Sequence, residues 1–255
     1  MKISVITVCY NASKTITLAL RSVQNQTYNN IEHIIIDGCS TDNTLEIVET
    51  EGKHVSRIIS EKDQGIYDAM NKGVLVATGD VIAFLNSDDF YKHHNVLANI
   101  ASIMQAENLD ALYGDVEFFD PAHPDSVVRI YNSSHFKPDR LGWGWMPAHP
   151  ALFVRRSIFE QYGLFQTDYR IAGDFEFIVR IFKNNLLRHR HLAEILVRMQ
   201  IGGISTSGFR ATFKLNQEMI RACRANNIST NWLQIILRYP FKALEFFGYR
   251  FRLKS

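Results

Sequence analysis

Across its first 110 residues the chain alternates short apolar runs with stretches of helical periodicity, which restricts the fold more than any other feature. Ile3–Cys9, Ile31–Asp37 and Val81–Leu85 read as buried strands and Val55–Ser60 as a further strand. Ser13–Gln24, Asp42–Glu51, Ile66–Val76 and Val96–Glu107 read as the helices between them, the first capped by Ser13 or Asn11. Strands joined by helices of this length need right-handed crossovers, so the pattern predicts an α/β domain with a mostly parallel sheet and helices on both faces. From Ala111 the texture changes. Ala111–Phe119 and Val127–Tyr131 flank the turn-rich Pro121-Ala122-His123-Pro124-Asp125 and read as an antiparallel pair. Residues 132–149 are irregular, and the aromatics Phe136, Trp143 and Trp145 need burial or a ligand, which suits an ordered binding loop. Ala151–Val154 and Ile195–Gln200 then read as strands, and Ser157–Tyr162, Asp174–Asn184 and Arg210–Asn226 as helices.

With 255 residues and 46% hydrophobic content the chain can bury a core without disulfides or metals. Cys9, Cys39 and Cys223 show neither paired spacing nor an even count, which points to a reducing, cytoplasmic setting. The N-terminal apolar run, Ile3–Val8, is too short for a secretion signal or a membrane span. The net charge of +2 hides an asymmetry: residues 1–176 hold 14 Lys+Arg against 23 Asp+Glu (−9), and residues 177–255 hold 14 against 3 (+11). An acidic body argues against nucleic acid as the main ligand, while the basic tail calls for an anionic partner.

Ligands of open parallel sheets bind beyond the carboxyl ends of the strands. Strand one runs into Cys9-Tyr10-Asn11 with no glycine-rich turn, so dinucleotide and P-loop chemistry lose ground. Strand two ends at Asp37, followed by Gly38-Cys39-Ser40-Thr41-Asp42, residues that also suit a helix cap. Asp37 itself stands at the strand tip, where it could accept hydrogen bonds from a base or ribose. Strand three leads through Ser60-Glu61-Lys62-Asp63-Gln64-Gly65 into a helix carrying Asp68, Asn71 and Lys72, which would equally suit a solvated face. Strand four ends in Phe84-Leu85-Asn86-Ser87-Asp88-Asp89. Two adjacent carboxylates after a buried strand repel each other unless a cation or donors neutralise them, and hard oxygens favour Mg²⁺ or Mn²⁺. Capping of the helix that begins near His94 would explain one of the pair.

Taken in this order and spacing, Ile3–Asn11, Asp37–Thr44, Ser60–Gly73 and Phe84–Asp89 resemble the nucleotide-sugar half of family 2 glycosyltransferases, which have the GT-A fold. His149–Arg156 and Tyr169–Glu176 resemble the acceptor half, and Ser60–Gly73 is similar to a subgroup acting in bacterial surface polysaccharide assembly. The resemblance covers about residues 1–205. It implies a GT-A domain over 1–205, divided into a nucleotide-sugar half (1–110) and an acceptor half (111–205), with a helical basic extension over 206–255. It further implies that Thr7, Tyr10 and Asp37 hold the nucleoside, with Asp68, Lys72, Asn86, Ser87 and His149 completing the donor site. Asp88 would ligate Mn²⁺ or Mg²⁺ with Asp89 in support, and Asp174 would be the general base. Asn86 stands where the family often has its first metal-binding carboxylate. Gln200-Ile201-Gly202-Gly203-Ile204-Ser205 stands where processive synthases carry Q-x-x-R-W, which implies one sugar per encounter.

The implied activity is an inverting, metal-dependent transfer of one sugar from a nucleotide-sugar, uridine-linked by preference, to a hydroxyl of a glycan or lipid-linked acceptor. A catalytically silent nucleotide-sugar-binding or scaffold subunit is the alternative; a nucleotidyltransferase would want a Gly- and Lys-rich first loop. Individual residues keep alternatives of their own. Asp174 could cap its helix, Glu176 could exchange roles with it, and His149 could bond only to backbone. In the tail, Trp232, Leu233, Leu237, Phe241, Leu244, Phe247 and Phe251 recur at near-helical spacing with Arg238, Lys242 and Arg252 on the other side, interrupted by Pro240. Such a helix suits the cytoplasmic face of an anionic inner membrane, or packs on the catalytic domain or a partner subunit. Oligomerisation is left open.

Overall fold

The computed structural model describes residues 1–202 and 208–240. A nine-stranded sheet forms the body. Its first four strands, β1 (Ile3–Cys9), β2 (Ile31–Asp37), β3 (Val55–Ser60) and β4 (Val81–Phe84), are parallel in the order β3-β2-β1-β4. The crossovers carry α1 (Ile16–Gln24), α2 (Thr44–Glu51) and α3 (Ile66–Val76). β1 is buried along its whole length, Ser4 and Thr7 included, as a largely apolar strand is in a sheet covered on both faces. Ile16, Leu20 and Val48 pack with Cys9 and Ile35 on one face, and Met70 and Val74 pack with Ile6, Ile34 and Ile36 on the other. α3 lies so close to the sheet that a Cβ at Gly73 would come within 2.4 Å of the Ile6 side chain.

Beyond β4 the order continues β8 (Leu152–Arg155), β6 (Ala111–Asp120), β9 (His189–Gln200) and β5 (Asp89–Tyr91), with β7 (His123–Tyr131) paired to β6. β8 is antiparallel to β4 and β6, β6 and β7 form the anticipated antiparallel pair, and β9 runs parallel to β6. α4 (Val96–Ala106) and α5 (Arg156–Tyr162) pack nearby, α6 (Gly173–Phe182) sits among Phe159, Phe165 and Tyr169, and α7 (Phe209–Ala225) supplies Met219, Ile220, Ala222 and Cys223 to the same core.

The position of β5 has a geometric consequence. Only Leu85–Asp88 separate β4 from β5, yet three strands lie between them in the sheet. Five Cα steps reach about 17 Å at ~3.3–3.6 Å each, whereas four flat strand spacings of ~4.8 Å need about 19 Å. The sheet must therefore curl until its last strand returns toward the end of β4, which seats the Asn86–Asp89 turn where the two ends of the sheet meet.

β5 was not anticipated, being only three residues long, and β9 begins six residues earlier than its apolar part, at the polar His189-Arg190-His191. The irregular stretch 132–149 contains the 3₁₀ turns Ser133–His135 and Pro138–Trp143 and leads into a third, His149–Ala151. Phe136 is buried, whereas Trp143 stays exposed.

Residues 232–240 are helical and pack through Ile235 and Arg238, which corrects the expectation of a basic face at Arg238. The Arg238 guanidinium is buried, donating to Gly144 O at 3.3 Å and Asn216 Oδ1 at 2.9 Å. Leu233, Ile236 and Leu237 face outward. The remaining tail residues, including Phe241, Lys242 and Phe251, and part of the Gln200–Ser205 segment lie outside the described residues. Among the described residues no helix is long and apolar enough to cross a membrane.

Candidate active site

Three groups of side chains gather beyond the carboxyl ends of the parallel strands. The first lies at the tips of β1 and β2. A Cβ placed on Gly38 would come within 2.4 Å of Asp63 Oδ2 and 3.5 Å of the Tyr10 ring, so glycine is what lets these two side chains converge over the backbone. Tyr10 is 63% exposed and presents an open aromatic face, and Asp63 Oδ1 accepts the Gly65 amide at 2.9 Å. Asp63 was not singled out from the sequence; its signal was an aspartate two residues before Gly65, whose φ of +126° turns the chain back.

Asp37 has a different surrounding from the one anticipated. It is fully buried and accepts from Ser40 N at 3.0 Å, Ser40 Oγ at 2.5 Å and Ser60 Oγ at 2.7 Å, so both oxygens are engaged in tying the ends of β2 and β3 together. The left-handed Asn11 and Cys39 complete the seam, with Asn11 N donating to Ser40 Oγ and Asn11 Oδ1 accepting from Thr41 N, each at 2.8 Å. Thr7 is also fully buried, its hydroxyl paired with His33 Nε2 at 3.0 Å rather than gathered with Tyr10. Asp68 and Lys72 brace the loop before α3: Asp68 accepts the Gln64 amide at 3.0 Å, and Lys72 donates to Lys62 O at 2.7 Å and pairs with Glu61 at 3.0 Å.

The second group is the turn after β4. Asp89 N donates to Asn86 O at 3.1 Å, and Asn86 Nδ2 donates to Asp89 Oδ2 at 3.3 Å. Asn86 Oδ1 and Asp89 Oδ1 are buried without a hydrogen-bond partner. Burial pushes the Asp88 carboxyl up; burial and then the Asp88 charge push Asp89 well up. Ser87 and Asp88 are half-buried beside them. Buried oxygens left without donors are costly, and a hard divalent cation would satisfy this donor set. No cluster of three or more His, Cys, Asp or Glu suited to a metal occurs among the described residues. Two carboxylates and an amide oxygen would thus hold the ion and leave its remaining positions to phosphate or water.

The third group stands at the start of α6. Asp174 Oδ1 accepts the Tyr67 hydroxyl at 3.2 Å and the Phe175 amide at 2.8 Å, and the same hydroxyl reaches Ile171 O at 2.7 Å. Oδ1 thus serves the helix end, and Oδ2 accepts no hydrogen bond from the described residues. A Cβ at Gly173 would strike the Tyr67 ring at 2.7 Å, so this glycine admits the tyrosine to the carboxylate. His149 is buried and stacks on Phe84, the last residue of β4, at 5.4 Å. Burial pulls its imidazole down, with the Asp174 charge acting the other way. Phe84 and His149 therefore link the Asp174 group to the Asn86–Asp89 turn. Glu176 belongs elsewhere: it is buried in an ion pair with Arg180 at 2.9 Å and accepts from Asn226 at 3.2 Å. Cavities of about 750 and 370 Å³ lie on the α7 flank and are lined by none of Asp37, Asp88 and Asp174.

Solved structures similar in fold include S. aureus TarS 1-349 in complex with UDP-GlcNAc (20% identity, TM-score 0.66, covering 87% of this chain and 66% of that one). Against a longer TarS chain this chain spans 39% of the length. The mannosyltransferase PcManGT from Pyrobaculum calidifontis, in complex with GDP-Man and Mn²⁺, matches at 17% identity and TM-score 0.66 over 91% of this chain and 66% of that one. At these identities the likeness is one of fold, the GT-A fold. A PGL/p-HBAD biosynthesis glycosyltransferase of Mycobacterium bovis is 32% identical over 212 residues, 80% of this chain and 79% of the relative. Residues 4–196 match glycosyl transferase family 2, and the chain belongs to that family.

Proposed function

We propose that the protein is an inverting, metal-dependent glycosyltransferase that moves one sugar from a uridine-linked donor to a hydroxyl of a glycan or lipid-linked acceptor in bacterial surface polysaccharide assembly. The observation that carries this reading is the pairing of under-satisfied oxygens at Asn86 and Asp89 with a half-occupied carboxylate at Asp174, linked through Phe84 and His149. A relative named as a PGL/p-HBAD biosynthesis glycosyltransferase and fold neighbours in complex with UDP-GlcNAc and with GDP-Man and Mn²⁺ support it.

In this reading residues 1–110 form the donor half, 111–205 the acceptor half and 206–255 an extension. Tyr10 and Asp63 receive the nucleoside, the aromatic ring against the base and the carboxylate toward its polar edge or ribose. Thr7 and Asp37 contribute by holding the strand tips beneath it, and Asp68 and Lys72 by bracing the loop that carries Asp63. Asp88, Asp89 and Asn86 would hold Mn²⁺ or Mg²⁺, which when bound supplies positive charge to a leaving diphosphate. Ser87 and His149 line the donor's phosphate end. Asp174 Oδ2 takes the proton of the attacking hydroxyl while Tyr67 and the Phe175 amide keep Oδ1 fixed. One base serving one displacement on the face opposite the leaving group inverts the anomeric centre. The exposed Leu233, Ile236 and Leu237, followed by the basic, aromatic tail, support attachment to an anionic membrane surface on the cytoplasmic side.

Calorimetry with uridine, guanosine, cytidine and thymidine diphosphates and their sugars, each with Mn²⁺, Mg²⁺ or chelator, tests the reading. Metal-dependent binding of one nucleotide, lost in Asp88→Asn, is the expected outcome. Absence of binding by the folded protein overturns it in favour of a silent scaffold subunit.

A further inference from the structure

A residue outside the region that matches the family grips the chain just before Asp174. Glu218 of α7 is 3% exposed, and its carboxylate accepts the amides of three successive residues: Arg170 at 3.1 Å, Ile171 at 2.9 Å and Ala172 at 3.0 Å. Ala172 is the cap of α6 and contributes no side-chain cap of its own; its carbonyl accepts the first helical bond, from Glu176 N at 2.9 Å. One carboxylate thus gathers the chain immediately before Gly173-Asp174. Its charge lies at the positive end of the α6 dipole, where an anion is favoured. α7 grips the same segment again at Arg221, whose guanidinium lies 3.7 Å over the Tyr169 ring and pairs with Asp168 at 3.1 Å. From the other side the Tyr67 hydroxyl holds Ile171 O and Asp174 Oδ1 together.

We propose that Glu218 is a positioning residue for Asp174: it fixes residues 170–172 so that the carboxylate of Asp174 meets the acceptor hydroxyl, which makes α7 part of the catalytic unit although the family match ends at residue 196. The inference rests on the reading of Asp174 as the base. Three amides converging on one buried carboxylate leave little freedom at the helix start, and a displacement of about 1 Å at a reacting group costs on the order of 100-fold in rate. Glutamine at this position keeps the volume of glutamate but replaces one acceptor oxygen with a donor that opposes the amides.

The test compares Glu218→Gln, Asp174→Asn and the double variant by steady-state transfer and by calorimetric donor binding. Glu218→Gln should lower kcat about 10–100-fold, leave donor affinity and donor KM within about twofold, and cause no further loss in the Asp174→Asn background. Amide exchange at Ile171 and Ala172 should quicken in Glu218→Gln while the β1 and β2 amides stay protected. A wild-type kcat in Glu218→Gln beside an inactive Asp174→Asn overturns the positioning role alone, as does an undiminished further loss in the double variant. Normal turnover of Asp174→Asn overturns the base reading and the positioning role with it. Should Glu218→Gln not fold, Arg221→Gln, at a side chain 45% exposed, loosens the same segment and should lower kcat several-fold at unchanged donor affinity; an unchanged kcat there refutes the clamp.

Discussion

The tips of β2 and β4 flank β1 at the same end of one sheet, both carrying aspartate, and they treat it in opposite ways. At the tip of β2, Asp37 is buried with both oxygens engaged by Ser40 and Ser60, and the chain around it is stitched by Asn11. At the tip of β4, Asp88 and Asp89 stand side by side with burial pushing both carboxyls up, and Asp89 Oδ1 and Asn86 Oδ1 find no donor. A carboxylate that the protein satisfies by itself keeps the frame in shape, whereas one left short of donors is, under the proposed function, completed by a bound cation or substrate. In this contrast Asp174 belongs with β4, since only one of its oxygens is engaged.

The largest effect should come from Asp174→Asn, which is expected to lower kcat about 10²–10⁴-fold while nucleotide affinity stays unchanged; a matching loss of affinity would move Asp174 into the frame class. Next, Asp37→Asn should cost about 1–3 kcal/mol in denaturant unfolding, because its neighbours lose acceptors inside the sheet. Unchanged stability with lost nucleotide binding would place Asp37 among the ligand-seeking groups and break the contrast. A third comparison is pH-dependent. The folded-state carboxyls of Asp88 and Asp89 lie above their unfolded value, so the folded state retains protons that the unfolded state has released and stability falls as pH rises above the ordinary carboxylate range. Metal-free Asp89→Asn should therefore melt higher than wild type near neutrality, the gap closing toward pH 4 or on addition of Mn²⁺. Around β2 the sign reverses: burial and then the neighbouring His54 hold His33 down at about 3, so its contribution is present above its ordinary 6.5 and is lost as pH falls toward 3. The smallest effect is expected from Tyr10→Ala, which removes one exposed stacking face and should weaken nucleotide binding by about 1 kcal/mol, roughly fivefold in calorimetry.

The parallel half of the sheet is legible because β1, β2 and β4 are short, largely apolar runs set between stretches of helical period, with the partly exposed β3 found by its place in that alternation. β5 is not, because three residues carry no period; nor is the start of β9, where His189 and His191 sit in a strand paired to a partner far away in the chain. The same limit governs the site. Asp88, Asp89 and Asp174 are visible as acidic residues where a strand or loop hands over to the next element. Whether such a residue is satisfied depends on partners brought by the fold: Ser60 for Asp37, His33 for Thr7, Tyr67 for Asp174. Glu218 is invisible in this sense, since on α7 it reads as one charge among many until residues 170–172 fold against it. Arg238 is mistaken for a surface charge for the same reason, its carbonyl and amide acceptors being Gly144 and Asn216.

The short link between β4 and β5 bears on how the protein reaches its native state. β1–β4 can associate through neighbouring crossovers while the chain is still incomplete, but β5 pairs with β9, Asp89 opposite Met199, so it must wait for a strand made much later. Until then the Asn86–Asp89 turn has nothing to close against. Nascent or truncated chains that end before β9 would carry the two acidic residues of this turn on a loose end, so ordering of the Asn86–Asp89 turn is coupled to completion of the far side of the sheet.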